Sequence, residues 1–598
     1  MSLPALAPDI KDTDTLGFVE ELFNDARRKK KDQIEKWNRF YRAFRNRSYS
    51  EFRQSWLPSP SSSDIFAGYT TMAAWMTDQR PVMLVSPSPN LKGMLPEEID
   101  PELMKLKSLE MQEVLASWWI NRGEGAQIEM ALYDTLLYGC GILKTGWDQS
   151  LDRGLGDAFL RRVDPYRCLN DPAASSIDDS RYFIEVSEVP LIELYSRFPE
   201  RGHLVKAGNT PSSDLVRPRE SGWNVVPMAN PAATGVTGEF PGTASANMPA
   251  RYGWPGPMGS EDYTKTVTLI ECWVKSTEEY SVPFIEGGEW KGDLKLDKPI
   301  WQYVAVAGGV VLTPDISNPF EHGQLPYIRL PYMRIGEFWE VSLTEHILPA
   351  QIALNRLAAA VQLNAELVGN PILLEDENAG ISRTKIVNRP GARLKKNAGS
   401  EVQWLNPPAI SGEIYNMIEY WKQTIRETIG VSAVMSNTMR RRESEGAVDA
   451  VQEASFVRVR AVLRNMEESL RIAGGQVASN ISEYYIEGRT ISKVGGGESD
   501  TFLTLQPRHF QITTAKPGGK VESTNLDFDV TIAAGSTLPV SRQAQAAEAD
   551  ALFFMGAVDD EFVLERHGVS QRDKILQRVN EKKVAGQMPQ AQNPRRGR

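Results

Sequence analysis

The residues best suited to chemistry are basic and clustered. Arg440-Arg441-Arg442 stand together in residues 431–446, VSAVMSNTMRRRESEG, a stretch with no regular apolar period that also holds Asn437. Adjacent guanidinium groups bind phosphate or carboxylate, and Glu443 and Glu445 are the competing partners on the spot. A second run, Arg27-Arg28-Lys29-Lys30-Lys31, sits inside a helical pattern and reads either as a solvated helix face or as an anion-binding patch. Asp527 and Asp529 alternate along a strand and so share a face. Such a pair binds a metal, shares a proton, or marks the solvent side of an edge strand.

Catalytic signatures are scarce. No GxxxxGK[ST] loop and no GxSxG elbow occurs. Gly139-Cys140-Gly141 lacks the third glycine of a phosphate cradle and reads as a turn. Cys140, Cys168 and Cys272 stand far apart, which predicts reduced thiols without a disulfide framework. Cys140 with a remote histidine is a formal nucleophile pair, with a buried structural thiol as its alternative. His203, His322, His346, His509 and His567 show no metal-ligand spacing, so no metal, cofactor or catalytic residue is assigned.

The chain that must position these groups has 598 residues, enough for several domains or one large multi-part fold. Lys+Arg is 67 and Asp+Glu is 77, a net charge of −10, so a bulk basic coat for nucleic acid is excluded and any such contact must be local. The N-terminus does not read as a signal peptide and no run is long and apolar enough to span a membrane, which predicts a soluble, intracellular chain.

Helices are expected over 15–45, from Ile65 to Met76, from about Pro96 through Trp118, and over 125–138. Strands follow at 140–148, Phe159–Val163, Arg181–Val186, Thr266–Lys275, Trp301–Val306, Val310–Leu312 and Tyr327–Leu330. Residues 208–262 carry 8 Pro and 8 Gly in 55 positions and read as a flexible insertion. Ile347, Gln351, Leu354, Ala358, Val361, Ala365 and Val368 step by four and three along a helix. Short strands at Ile372–Leu374, Lys385–Val387 and Val402–Leu405 lead to a second helix with Ile414, Met417, Trp421, Ile425 and Thr428 on one face. Val459, Leu463, Met466, Leu470, Ala473, Val477, Asn480 and Tyr484 mark a very long helix over 447–486, with Gly474-Gly475 a place for a bend or a close approach. Strands return at Phe502–Leu505, His509–Thr513 and Leu526–Ile532. A helix over 540–555, short helices near 562–566 and 572–581 and a disordered tail from Ala585 complete the pattern. The fold class is α+β, mostly helical. Helices this long would leave apolar stripes exposed in a lone chain, which favours side-by-side assembly.

In their order and spacing the segments Ser63–Phe66, Asp78–Pro81, Leu137–Asp148, Val163-Asp-Pro165, Asn170-Asp-Pro172, Leu348–Gln351 with Asn355, Thr428–Val431 and Phe528–Val530 with Gly535-Ser536 resemble the portal proteins of tailed bacteriophages. The resemblance spans roughly 30–580 and is weak in 208–262. It implies a ring of about twelve identical subunits at one capsid vertex, a channel for packaging and ejecting double-stranded DNA, and no catalysis of its own. It also implies partners: the terminase motor, major capsid and scaffolding proteins, and tail adaptors, with no membrane, and a place in the virion after assembly in the host cytoplasm. By that analogy 1–60 is an N-terminal helical region, 61–340 an α+β wing, 341–368 the first stem helix and 369–411 the clip. Residues 412–430 are the second stem helix, 431–446 the tunnel loop, 447–486 the long wing and channel helix, 487–538 returning wing strands, and 539–598 a helical crown and tail. Asn437, Arg440, Arg441 and Arg442 then become the expected DNA contacts. Two other possibilities stand beside it: a different head-tail adaptor ring, and an uncharacterised enzyme with a site in 130–340 using Asp148 or Asp164.

Overall fold

The computed structural model describes residues 12–46, 60, 62–77, 80–88, 101–206, 266–286, 289–314, 317–369, 372–376, 397–405, 410–430, 445–493, 502–515 and 521–533, with isolated positions between 549 and 579. At 278–286, 289–298 and 445–458, among others, the backbone alone is described. The insertion 208–262, the expected strand Lys385–Val387 and the tail from Ala585 lie outside the described residues, as does nearly all of the expected helices beyond 540.

The chain opens with helices α1 (Asp12–Phe44) and α2 (Asp64–Thr77), strand β1 (Met83–Pro87), and helices α3 (Pro101–Arg122) and α4 (Glu124–Tyr138). α4 stops at Gly139, whose φ of 87° is open to glycine at little cost and whose N–H donates to Thr135 O at 2.9 Å. The chain turns directly into β2 (Cys140–Asp148), followed by β3 (Asp157–Val163), β4 (Cys168–Asn170), β5 (Tyr182–Pro190) and the short α5 (Leu191–Arg197). Next come β6 (Thr266–Glu286), β7 (Glu289–Ala307), β8 (Val310–Val311) and β9 (Tyr327–Pro331). The C-terminal half holds α6 (Leu343–Gly369), β10 (Ile372–Glu375), β11 (Val402–Leu405), α7 (Gly412–Ile429) and α8 (Glu445–Tyr484). Five short strands close it: β12 (Arg489–Ser492), β13 (Phe502–Leu505), β14 (Gln511–Ala515), β15 (Val521–Asn525) and β16 (Phe528–Ile532). Helices outweigh strands, and the class is α+β.

Two sheets form the centre. One runs β3-β2-β9 and the other β4-β5-β6-β7-β8, each antiparallel throughout. β2 is buried over nearly its whole length because it is the middle strand, with α4 and α8 packed against its sheet. The largest core gathers Trp37 of α1, Tyr69 of α2, Leu115 of α3, Leu136 of α4, Ile347 of α6 and Val477 of α8. A second core joins the two sheets through Ile142, Phe183, Trp273 and Tyr327.

α8 follows its sequence pattern closely. Val459, Leu463, Met466, Leu470, Ala473, Val477 and Asn480 are all buried. Gly474 serves close approach: a Cβ there would lie 2.8 Å from Val530 Cγ1 of β16. β16 in turn pairs with β1, from Met83↔Ile532 to Pro87↔Phe528, tying the two ends of the fold together. Asp529 is exposed on that strand.

The basic run in α1 divides. Arg28 and Lys29 face solvent and pair with Asp25 at 2.8 and 3.4 Å. Lys30 does neither thing expected of the run. It is buried, donates to the carbonyls of Pro165 and Cys168, and lies over the rings of Trp37 and Trp339. Burial pulls its ammonium down to about 7, against the opposing pull of Asp164.

Candidate functional site

Two helices stand out from the packed body. α6 and α7 pack on each other and are joined at their far end by the antiparallel pair β10–β11, from Ile372↔Leu405 to Glu375↔Val402. Ser411 caps α7 by accepting from Glu413 N, and Gly430 ends it in the left-handed conformation. The near ends are buried: Ile347, Gln351, Leu354 and Asn355 on α6, Ile425 and Ile429 on α7. The far ends are not. Val368 is 49% exposed, Tyr415 53% and Tyr420 57%, with Leu367, Met417 and Leu374 similarly open. The apolar stripe of α6 thus continues past the body into solvent.

α2 braces the near ends. Gln351 Nε2 donates to Ser62 Oγ at 2.7 Å and to Asn355 Oδ1 at 3.0 Å, and Tyr69 OH lies 2.7 Å from Thr344 Oγ1. Gly68 lets α2 touch α7, since a Cβ there would sit 2.4 Å from Ile429 Cδ1. Gly68→Val should force the two helices apart at a cost of about 1–3 kcal/mol. Urea unfolding of the variant checks this, and an unchanged midpoint would contradict the contact.

The loop before α6 is fixed by Arg329. Its guanidinium donates to the carbonyls of Ser175 (2.7 Å) and Phe338 (2.9 Å) and to the Glu340 carboxylate (3.1 Å), which also accepts from Ile335 N. The Glu340 carbonyl lies against Gly139, where an added Cβ would be 1.8 Å from it. The turn between α4 and β2 therefore seats the entrance to α6.

A partly buried charge network centred on the buried Glu271 joins the two sheets. Lys144 of β2 reaches Glu185 of β5 at 2.6 Å and Glu271 of β6 at 2.8 Å, and Arg197 of α5 reaches Glu271 at 2.5 Å. Tyr327 OH donates to Glu185 and Tyr303 OH to Glu271. Burial pushes the Glu271 carboxyl up, but Lys144 and Arg197 outweigh it and hold it at about 2. Lys144 is likewise raised, burial being outweighed by the two glutamates.

The residues weighed for catalysis hold structural places. Cys140 is fully buried and burial pushes its thiol up to about 12, which disfavours the nucleophilic thiolate. Asp148 pairs with Arg161 at 2.7 Å and accepts from Ser150, while Asp164 caps the turn at Tyr166. Among the described residues no group of three or more His, Cys, Asp or Glu is placed to hold a metal, and no helix is long and apolar enough to cross a membrane. Asn437, Arg440, Arg441 and Arg442 fall between α7 and α8, outside the described residues. Sequence patterns gave no hint of the Lys144 network beyond a lone lysine in the strand Ile142-Leu143-Lys144-Thr145.

A scan against protein-family models matches residues 119–596, most of the chain, to the Phage P22-like portal protein family. The chain belongs to that family. No curated protein matches it. The portal match begins near the end of α3 and takes in both sheets, the braced pair α6–α7 and α8, so α1 and α2 precede it. Portal subunits work as homo-oligomeric rings in the virion, and for a portal subunit the open far ends of α6 and α7 acquire a meaning that they lack in a solitary chain.

Proposed function

We propose that the chain is the subunit of a ring of about twelve copies, set at one capsid vertex, through which double-stranded DNA is packaged and ejected. α6 and α7 are its stem, and residues 369–411 the clip that docks the terminase motor and then the tail adaptors. Residues 431–446 are the tunnel loop, α8 crosses from channel to wing, and 539–598 form the crown. The wing, 61–340, faces the capsid and scaffolding proteins. The ring carries no catalysis of its own.

The observation that carries this is the exposure of Val368, Tyr415, Met417 and Tyr420 on helices whose near ends are fully packed. A lone soluble chain gains nothing from holding such large apolar side chains in water, whereas neighbours standing side by side bury them. The charge supports the conduit. A subunit at −10 repels phosphate, and a passage for moving DNA works best when it holds the duplex weakly. A few cations at one constriction give local contact without the salt-dependent grip of a continuous basic lining.

Replacing Arg440, Arg441 and Arg442 together by alanine should leave ring formation intact and reduce DNA packaged or retained per particle. Particle DNA content measured by nuclease protection tests it; normal packaging would remove these arginines from the mechanism.

A further inference from the structure

Three turns meet on one side of α1. They are Tyr138-Gly139 at the end of α4, Pro165–Cys168 leading into β4, and Phe338–Glu340 before α6. Lys30 and Trp37 lie seven residues apart on α1, two helical turns, and so share a side. Between them they reach all three turns. The Trp37 ring lies 5.2 Å from that of Tyr138, 5.3 Å from Tyr166 and 4.9 Å, edge-on, from Trp339. Lys30 is 5% exposed and donates to the carbonyls of Pro165 and Cys168. Its Nζ stands 4.9 Å from the centre of the Trp37 ring and 4.2 Å from that of Trp339.

Two carbonyl oxygens and two indole rings thus present negative potential to one point, which is the chemistry that holds an ammonium ion. Asp164 also favours the charged form, and is itself engaged by Arg162 at 3.6 Å and by Tyr166 N. A side chain without donors here would leave two buried carbonyls unpaired. Trp339 carries the hold onward. Its neighbour Phe338 gives a carbonyl to Arg329, and its neighbour Glu340 is held by Arg329 and Ile335 N against Gly139. α6 begins three residues later, at Leu343. All three turns lie within residues 119–596, matched to the portal family, and α1 lies outside them, so this is a place where the leading helix fastens to the matched part.

We propose that these groups form an alkylammonium site filled from within the chain, and that Lys30, by filling it, is the positioning residue that ties α1 to the entrance of α6. The meaning for assembly rests on the reading of α6 as a stem helix. Emptied of its lysine, the site takes a primary alkylammonium of matching length. Lys30→Ala removes three carbons and the nitrogen, which is n-propylammonium.

Thermal unfolding of the full chain tests the site. n-Propylammonium should raise the midpoint of Lys30→Ala by about 2 °C or more, while n-propanol, of the same size and neutral, should not. Wild type and Lys30→Met, whose side chains fill the space, should respond to neither. Equal responses of Lys30→Ala to the ion and the alcohol, or none to either, would overturn the ammonium site. Amide hydrogen exchange tests the positioning. Residues 343–347 should exchange about tenfold faster in Lys30→Ala and recover with n-propylammonium, while residues 473–481 of α8 stay as in wild type. Protection lost evenly over the chain, or kept at 343–347, would overturn the positioning role. Should Lys30→Ala not fold, Lys30→Met decides through the same amides, since it keeps the volume and removes the donor. Failure of the wild-type chain to form rings would sink the stem reading and leave these results as they are.

Discussion

Gly139→Ala should destabilise the fold by roughly 3–5 kcal/mol, combining an unfavourable left-handed backbone with a steric overlap. The new methyl would lie 1.8 Å from the Glu340 carbonyl oxygen, which is backbone and has no rotamer to yield. Neither side of the contact is free to move. Gly139 ends α4 and accepts from Tyr332 N at 2.9 Å, while Glu340 is held by Arg329 and Ile335 N. Relief requires shifting the entrance of α6, so the variant should also impair ring formation. Gly123 is the control. It shares a positive φ of 67° but has nothing within 4 Å of its added Cβ, so Gly123→Ala should cost only the ~1–2 kcal/mol of the left-handed conformation. Denaturant midpoints of the two variants read the difference directly, and equal midpoints would contradict the close packing at Glu340.

Lys144→Met should cost about 3–5 kcal/mol, because it removes the lysine that two largely buried carboxylates share and leaves one of them without a cation. Arg197 still serves Glu271 at 2.5 Å, so Glu185 is the group left without a cation. Adding Glu185→Gln removes that charge while keeping an acceptor for Tyr327 OH, and the double variant should regain a large part of the loss. A double variant no better than the single would show that Lys144 acts by packing alone. The pH dependence has a definite sign. Glu271 is held below its ordinary value of 4.5, so its contribution is complete above that value and is lost as pH falls through about 2. Lys144 is raised above 10.5, so its contribution is complete below 10.5 and is lost as pH climbs past its raised value. Thermal melts between pH 5 and 9 should therefore be insensitive to this network.

The helical frame was legible because burial repeats with the helical period. The stripe of α8 and the boundaries of α7, set by Ser411 and Gly430, follow from local residue types. What escaped was long-range. β1 pairs with β16 from the opposite end of the chain, and no local pattern encodes that partnership. Thr266–Lys275 and Trp301–Val306 were readable as strands because they alternate within a buried sheet; their extension through Glu278-Glu279 and Asp293–Lys298 was not, since charges and prolines there resemble loop composition. Leu109 of α3 is exposed, because the helix packs through Met104, Ser108, Met111 and Leu115 instead. Lys30 was read with its charged neighbours, yet the two indole rings and two carbonyls that hold its ammonium come from parts of the chain that sequence spacing cannot connect.

The mass and shape of the purified assembly bear most directly on all of this. Native mass measurement with electron microscopy should find closed rings of about twelve chains around a hole that admits a duplex, and Val368→Asp with Tyr420→Asp should dissolve them. Monodisperse single chains at every concentration, with the far ends of α6 and α7 left in water, would contradict it.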